Sequence, residues 1–534
     1  MGGGLLQLVA QGAQDAYLSG NPQITFWKGL FKRHTNFAME AFRLNFTGQP
    51  NWGTKQSVTI NRNADLLYST YLEVVLPSYD PVSRPNAVYN NDQFRLGYNL
   101  LQYAELEVGG QLIDRQYGEW MFLWDTLTTS TDQNVMSQQM LSAAGRTLAF
   151  NYGSIGLNIG TAGPTAGLAN DTSVTSIDVG SGVTNNVFSS STAYQSASPG
   201  QVVAFGASAD CTASAGNQPG HPNVIYVPLR FFYTRNPGAA LPLIALQYHE
   251  VKINLLWNSN ALVSGDYNKV PVPAQPSQAS VYVDYIYLDV EERRRMAQES
   301  HEYLIEQVQY NEDKGLSSYN NRIDLTFNHP VKELVWVVQP TCYRNCKVPV
   351  PGVGTAVNVP PIGARYKNGS STYANLNRLT PFTYDQSAVY KQHLQINGQD
   401  RFDARYGDYF NKVQVAQHHT GSAATGFVNY TAGNTTSGTS GTKTTYSTPL
   451  IGGPVSQIPQ RGIYVYSFAL KPEEHQPSGT CNFSRIDTAT LALTMSGDVS
   501  VNGDTDATWD VRVYATNYNI LRIMSGMCGL AYSN

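Results

Sequence analysis

Leu106-Glu-Val-Gly-Gly-Gln111 and Leu394-Gln-Ile-Asn-Gly-Gln399 are two copies of one pattern, an alternating run that ends in a turn at Gly110 and at Gly398. Each is followed at almost the same distance by an acidic residue and an aromatic turn. In the first copy these are Ile113-Asp114 and Tyr117-Gly118-Glu119-Trp120, and in the second Phe402-Asp403 and Tyr406-Gly407-Asp408-Tyr409, with one inserted residue between. Working outward, Val58-Thr-Ile60 and Leu72-Glu-Val74-Val-Leu76 return as Ile323-Asp-Leu325 and Leu334-Val-Trp336-Val-Val338. Ile225-Tyr-Val returns as Ile463-Tyr-Val, and a further strand follows in each copy, Leu243 to Leu255 and Leu491-Ala-Leu493-Thr-Met495. Each copy closes on a period-two run, Val281-Tyr-Val283-Asp-Tyr285 and Trp509-Asp-Val511-Arg-Val513-Tyr-Ala515, which reads as a half-buried strand. The echoes keep their order, so the chain reads as one β-rich unit used twice.

Composition agrees with sheets joined by turns: 34 Tyr, 46 Gly and 27 Pro among 534 residues. Hydrophobic residues make up 42% and charged residues only 14%, so the surface relies on Ser, Thr, Asn, Gln and Gly. The formal net charge is -4 and no long run of Lys and Arg occurs, which argues against direct nucleic-acid binding. No apolar stretch reaches membrane-spanning length, and Met1-Gly-Gly-Gly lacks the basic start and apolar run of a signal peptide, so synthesis in the cytoplasm is expected.

Leu5, Val9, Ala13 and Tyr17 fall on one helical stripe that Ser19-Gly20-Asn21-Pro22 stops, giving a short amphipathic arm over residues 1–23. The first sheet unit then covers 24–292 and the second 301–534. Between them 293–300 is a linker, part of the charged, helix-favouring run Glu291-Glu-Arg-Arg-Arg-Met-Ala-Gln-Glu299. Two polar intervals, about 153–222 and about 419–460, are rich in Gly, Ser, Thr, Ala and Asn. They read as long surface loops inserted between strands, with a surface role or small strands of their own.

Catalytic spacing is nearly absent. His249-Glu250 and His301-Glu302 begin like a zinc-protease helix, but Ile253 and Ile305 stand where the second His is needed. His418-His419 has no Asp, Glu or Cys ligand within a turn and reads as loop surface. The five cysteines, Cys211, Cys342, Cys346, Cys481 and Cys528, are too few for a disulfide scaffold and read as reduced thiols; Cys342 and Cys346 lack the second pair a zinc site needs. Glu119 and Asp408 are the carboxylates a glycoside hydrolase would use. Their duplication points instead to a structural role, because acid and base need unlike surroundings and matched positions should be alike. No catalytic residue, cofactor site or metal site is assigned. Of six Asn-x-Ser/Thr sequons, Asn170, Asn368, Asn429 and Asn434 fall in loops and are the glycosylation candidates, whereas Asn45 and Asn482 sit near strands.

Several longer runs resemble the major capsid proteins of nucleocytoplasmic large DNA viruses, in particular those of large algal viruses. They are Leu5-Leu-Gln-Leu-Val-Ala-Gln-Gly-Ala-Gln-Asp15 through Gly20-Asn-Pro-Gln-Ile-Thr-Phe-Trp-Lys28, Ala240-Leu-Pro-Leu-Ile-Ala-Leu-Gln-Tyr-His-Glu250, Gln476-Pro-Ser-Gly-Thr-Cys-Asn-Phe-Ser-Arg-Ile-Asp487 and the end from Asn517. The resemblance implies an all-β chain of two tandem eight-stranded antiparallel jelly rolls with short helices and long loop insertions. It implies homotrimeric, pseudo-hexagonal capsomers that tile an icosahedral virion shell, with neighbouring capsomers, minor capsid proteins and an internal membrane at the inner face as partners. The two polar loops become candidates for the outer surface and the N-terminal arm a candidate inner contact. A carbohydrate-binding β-sandwich or a glycoside hydrolase is the alternative that the sheet content alone leaves open.

Overall fold

Alternating apolar residues set the strands of the first unit: β1 (Phe37–Asn45), β2 (Lys55–Ile60), β3 (Leu66–Leu76), β4 (Leu101–Val108), β5 (Gln111–Tyr117), β6 (Asn223–Pro228), β7 (Val251–Trp257) and β8 (Gln278–Leu288). Those of the second are β9 (His301–Leu316), β10 (Asn320–Asp324), β11 (Pro330–Pro340), β12 (Val389–Ile396), β13 (Gln399–Asp400), β14 (Ile463–Ser467), β15 (Ala489–Met495) and β16 (Trp509–Met524). The computed structural model describes residues 3–76 except 11, 23, 25, 28 and 30, then 96–130, 223–258, 275–340, 389–421, 463–495 and 508–532. It also describes a few positions between 131 and 141 and short strands in the remaining intervals.

The first unit folds as two antiparallel sheets, β1-β8-β3-β6 and β2-β7-β4-β5. The second gives β9-β16-β11-β14 and β10-β15-β12-β13, the same two orders with eight added to every label. Two sheets of this order packed face to face make a jelly roll, so the chain is a double jelly roll. The opening echo is a β-hairpin in both rolls. Val108 pairs with Gln111 and Ile396 with Gln399 across two-residue turns. Both turn residues have positive φ in each copy, Gly109 at 59° and Gly110 at 84°, Asn397 at 50° and Gly398 at 76°. Gly and Asn suit the tight turn that matches the twist of paired strands.

After each hairpin the aromatic turn begins a helix. In the first roll this is Gly118–Thr128; in the second a π-helical turn, Tyr409–Val413, runs into Gln414–His418. Gly118 is obligatory, since a Cβ there would lie 2.2 Å from the Leu101 carbonyl oxygen. The linker is also helical, Val290–Gln298, capped by the Asp289 carboxylate, which accepts from the Val290 N–H.

Four sequence expectations need correction. The arm is two helices, Gly3–Val9 and Ala13–Ser19, because the Asp15 carboxylate accepts from the Gly12 N–H and starts a new helix there. The run Leu243 to Leu255 is strand only from Val251; Leu243–Ala245 is a 3₁₀ turn. The echo of Ile225 with Ile463 is out by one residue, for Ile225 pairs with Val74 inside the first roll while Tyr464, paired with Trp336, is its inward-facing counterpart. Finally, β16 is buried on both faces from Trp509 to Asn519 rather than half-buried.

Among the described residues no sheet strand of either roll comes from the polar intervals, where the short pairs Ile177–Asp178 with Thr184–Asn185 and Ala424–Phe427 with Gln457–Pro459 are found. Two further hairpins, Val348–Val350 with Val353–Val357 and Ala364–Lys367 with Tyr373–Leu376, lie between β11 and β12. Every described residue from 3 to 41 is exposed, Phe26, Trp27 and Phe31 among them.

Candidate functional site: the seam between the rolls

The second face of β16 is buried because the first roll lies on it. Seen from the second roll, Leu334, Trp336, Val338 and Tyr464 point into its own core. The alternate residues Val335, Val337, Ile463 and Val465 point out and join the core of the first roll, where Trp120 and Trp124 of the Gly118–Thr128 helix are buried. A helix that would otherwise show one face to solvent is therefore enclosed all round, with nine of its eleven residues buried.

Polar groups fix the geometry of this apolar contact. Arg512 is 2% exposed and grips Glu119 with two N–H groups, its Nε donating to Oε2 at 2.6 Å, while the Tyr514 hydroxyl donates to the same carboxylate at 2.7 Å. Burial disfavours the Arg512 cation, but the Glu119 charge and hydrogen bonds outweigh it and push the pKa up. Around this pair Tyr117, Trp120, Tyr310 and Tyr514 form an aromatic cluster with centroids 4.7 to 6.2 Å apart. At the edge of β5 the Asp114 carboxylate accepts from the Val308 N–H at 3.1 Å, and Gln307 donates to the Ile113 carbonyl. Burial raises the Asp114 pKa despite these bonds.

A second charged group closes one end of the seam. Glu306 takes Arg235 of the first roll at 2.6 Å and fully buried Lys332 at 2.7 Å, and the Arg235 guanidinium stacks 4.2 Å from the Trp124 ring. Beside them His419 sits between Glu333 at 3.2 Å and Glu473 at 2.9 Å. Burial alone would lower the His419 pKa, yet the bonds and charges of the two carboxylates raise it to about 9. Burial likewise opposes ionisation of Glu333, but the His419 bond and charge, with Lys332, hold its pKa below the usual value. The Thr420 hydroxyl and the Gly421 N–H then donate to the Thr128 and Leu127 carbonyls of the first roll. At the other end the Tyr248 N–H donates to the Gly526 carbonyl, and the Cys528 N–H to His249 Nδ1, both at 3.1 Å.

His419 is buried rather than on a loop surface; its partners lie 86 and 54 positions away, so no local spacing could show them. Glu119 and Asp408 are at matched helix starts but not in like surroundings, since Asp408 bonds Lys412 of its own helix at 2.8 Å. Held by Arg512 and Tyr514, Glu119 is a structural anion and not half of a hydrolytic pair. His249 caps the seam just before β7, and His301 opens β9 with Nε2 at 2.7 Å from the Met296 carbonyl. Cys528 belongs to a strand, Met527–Leu530, paired with β16, and burial pushes its thiol up to about 12. Cys481 and Cys528 are free thiols, while Cys211, Cys342 and Cys346, like the sequon residues Asn170, Asn368, Asn429 and Asn434, lie outside the described residues.

Two like jelly rolls locked side by side by a buried seam define a double jelly-roll protein. Residues 25–289 match the family model for the major capsid protein N-terminus, and residues 292–447 and 445–529 match that for the large eukaryotic DNA virus major capsid protein. The chain belongs to this family of viral major capsid proteins. It is 39% identical to the major capsid protein of Phaeocystis pouchetii virus and 35% identical to that of Paramecium bursaria Chlorella virus 1, in both cases over 100% of each chain. Among solved structures it is similar to a chain of the PBCV-1 virus capsid quasi-atomic model, with a TM-score of 0.64 and 31% identity over 96% of this chain and 100% of that one. The Faustovirus major capsid protein shares the fold at a TM-score of 0.55 and 12% identity, covering 96% and 94% of the two chains.

Proposed function

We propose that this chain is the repeating unit of an icosahedral virus shell, acting as a homotrimer of pseudo-hexagonal outline that packs against neighbouring capsomers. The observation that carries this is the identical strand order of the two rolls. Two equal rolls per chain give three chains six similar units around a threefold axis. Weak contacts between such capsomers add through multivalency, so no single one need be strong. The parts are an arm over 1–23, rolls over 24–292 and 301–534 and a linker over 293–300. The arm and the segment just after it, with exposed Phe26, Trp27 and Phe31 beside Lys32 and Arg33, suit an inner contact with minor capsid proteins or an internal membrane. Synthesis in the host cytoplasm belongs to the same proposal.

The polar intervals supply the outer surface, with Asn170, Asn429 and Asn434 in them and Asn368 in a separate loop as acceptors for glycans, a point that mass spectrometry of virion protein decides site by site. Native mass spectrometry and negative-stain images of the purified chain test the assembly. Trimers of hexagonal outline are expected; a monomer that persists at micromolar concentration, after refolding and across salt conditions, overturns the reading.

A further inference from the structure

Helices as short as seven residues are marginal in water by themselves. The two that open the arm, Gly3–Val9 and Ala13–Ser19, have no buried residue to steady them. They present Leu5, Leu6, Leu8 and Val9, then Tyr17 and Leu18, each more than half exposed. Such helices persist when an apolar surface receives them.

Strand registers fix the end of the fold from which the arm leaves. Met39 of β1 pairs with Ile286, and Ile286 with Leu66, the first residue of β3. Residues 61–65 join Leu66 to Ile60, the last of β2; Ile60 pairs with Val251, and Val251 with Val108 beside the Gly109-Gly110 turn. The start of β1 and the segment just before β7 therefore share one end of the first roll. At that end Tyr248 lies against the tip of a second-roll hairpin, Met524-Ser525-Gly526-Met527, so closely that a Cβ on Gly526 would fall 2.7 Å from its ring. Tyr248, Met524 and Met527 are 53 to 74% exposed. Methionine is flexible and polarisable, which suits such a patch to an apolar helix. Glu250 and Glu302 flank it, both exposed and paired only at the surface with Lys252 and Arg522. Pairs of that kind contribute little, so either acid can turn to another cation at small cost.

We propose that the arm of one copy docks on this patch of the next copy in the capsomer, its apolar helices on Tyr248, Met524 and Met527 and its basic residues toward Glu250 and Glu302. The inference rests on the capsomer reading and adds a strap between its subunits. Charge favours this occupant: before Phe37 the arm carries Lys28, Lys32 and Arg33 against Asp15 alone, whereas an anionic bilayer would be repelled by the acids beside the patch. Reach allows it, since residues 20–36, when extended, cover up to about 60 Å, about twice the diameter of a small domain. Within one chain both partners stay uncovered, for every described residue from 3 to 41 is exposed although the patch lies at the same end. Three such straps in a closed ring act together, so each can be weak singly.

The test is made on full-length protein. Two chains, one carrying Leu8→Cys and the other Met524→Cys, are refolded together and treated with a short thiol crosslinker; a linked pair containing one of each is expected, and neither chain alone should give it. Trypsin cleavage after Lys28, Lys32 and Arg33 follows the population of undocked arm. It should be at least about tenfold slower in assembled wild type than in Leu5→Glu with Leu8→Glu, a variant whose changes lie outside both cores. Met524→Glu with Met527→Glu, on the receiving side, must free the arm to the same extent. A chain bearing both cysteines that links only within itself places the arm on its own fold and overturns the exchange. Protection of the arm that appears only with phosphatidylserine–phosphatidylcholine vesicles overturns it in favour of a lipid surface. Trimers that form normally with the arm cleaved as fast as in the glutamate variants overturn the strap and leave the capsomer standing, and a wild-type chain that forms no trimer removes both.

Discussion

Glu119 and Arg512 stand 393 residues apart and share one buried hydrogen-bonded pair, so removing either leaves the other charge without its partner in the seam. Breaking a buried pair of this kind costs about 3–5 kcal/mol. Glu119→Ala should therefore lower unfolding free energy by about that amount in urea titrations, whereas Asp408→Ala, which removes a surface i,i+4 pair, should cost less than about 0.5 kcal/mol. Equal effects at the two sites would contradict the seam described above. His419 makes stability depend on pH. Its folded pKa of about 9 lies above the ordinary imidazole value of 6.5, so its contribution is complete below pH 6.5 and is lost as pH rises through about 9. A rise of that size corresponds to about 3 kcal/mol. Glu333 acts in the other direction, its contribution present above its ordinary value of 4.5 and lost as acid reaches the lowered folded value. Lys332, Arg235 and Glu306 lie in the same charged group, so the informative quantity is the difference between wild type and His419→Gln. That gap in melting temperature should be wide at pH 7 and close by pH 10; a gap independent of pH would mean that His419 is not charged in the folded chain.

At the scale of elements, the two hairpins that open each roll's second sheet share a turn but not its surroundings. Gly109, the counterpart of Asn397, has φ of 59° and a Cβ built on it would fall 2.4 Å from the His249 ring, while Gly398, like its own counterpart Gly110, has positive φ and nothing within 4 Å. Gly398→Ala should cost about 1–2 kcal/mol, the strain of a left-handed residue with a side chain. Gly109→Ala should cost more, because His249 must also move and it accepts the Cys528 N–H that ties down the C-terminal strand. Denaturant midpoints of the two variants give the comparison, and a smaller loss at Gly109 would deny the close approach. These hairpins were legible in the sequence because each has one face in a core and one in polar surroundings, so alternation and turn chemistry agree. Legibility failed where the seam supplies a second apolar environment. Ile463 and Val465 face the first roll while Tyr464 faces inward, so three consecutive apolar residues hide the period of two and the alignment slips by one. For β16 the reading failed in the same way, because Arg512 looked like a solvent position. The roles of His419, Glu333 and Asp114 depend on partners far along the chain, which spacing does not reveal.

For the whole molecule, the division of labour between strands and insertions sets what can be changed without loss. Among the described residues, the sixteen strands of the two rolls and the helix and sheet residues that build the seam lie outside 153–222. The composition of that interval, Gly, Ser, Thr and Asn, offers little apolar area to a core, so the rolls and the seam are expected to form without it. Deleting residues 160–215 and joining the ends through a short Gly/Ser linker should leave the melting temperature within about 2 °C of wild type, the shift expected of a change below about 0.5 kcal/mol in a large domain. Loop-closure entropy favours the shorter connection slightly, since cost grows only with the logarithm of length. Native mass spectrometry of the deletion variant should still give trimers. Loss of trimers with the melting temperature preserved would place the interval in the subunit contact, and loss of both would make it part of the first roll's core.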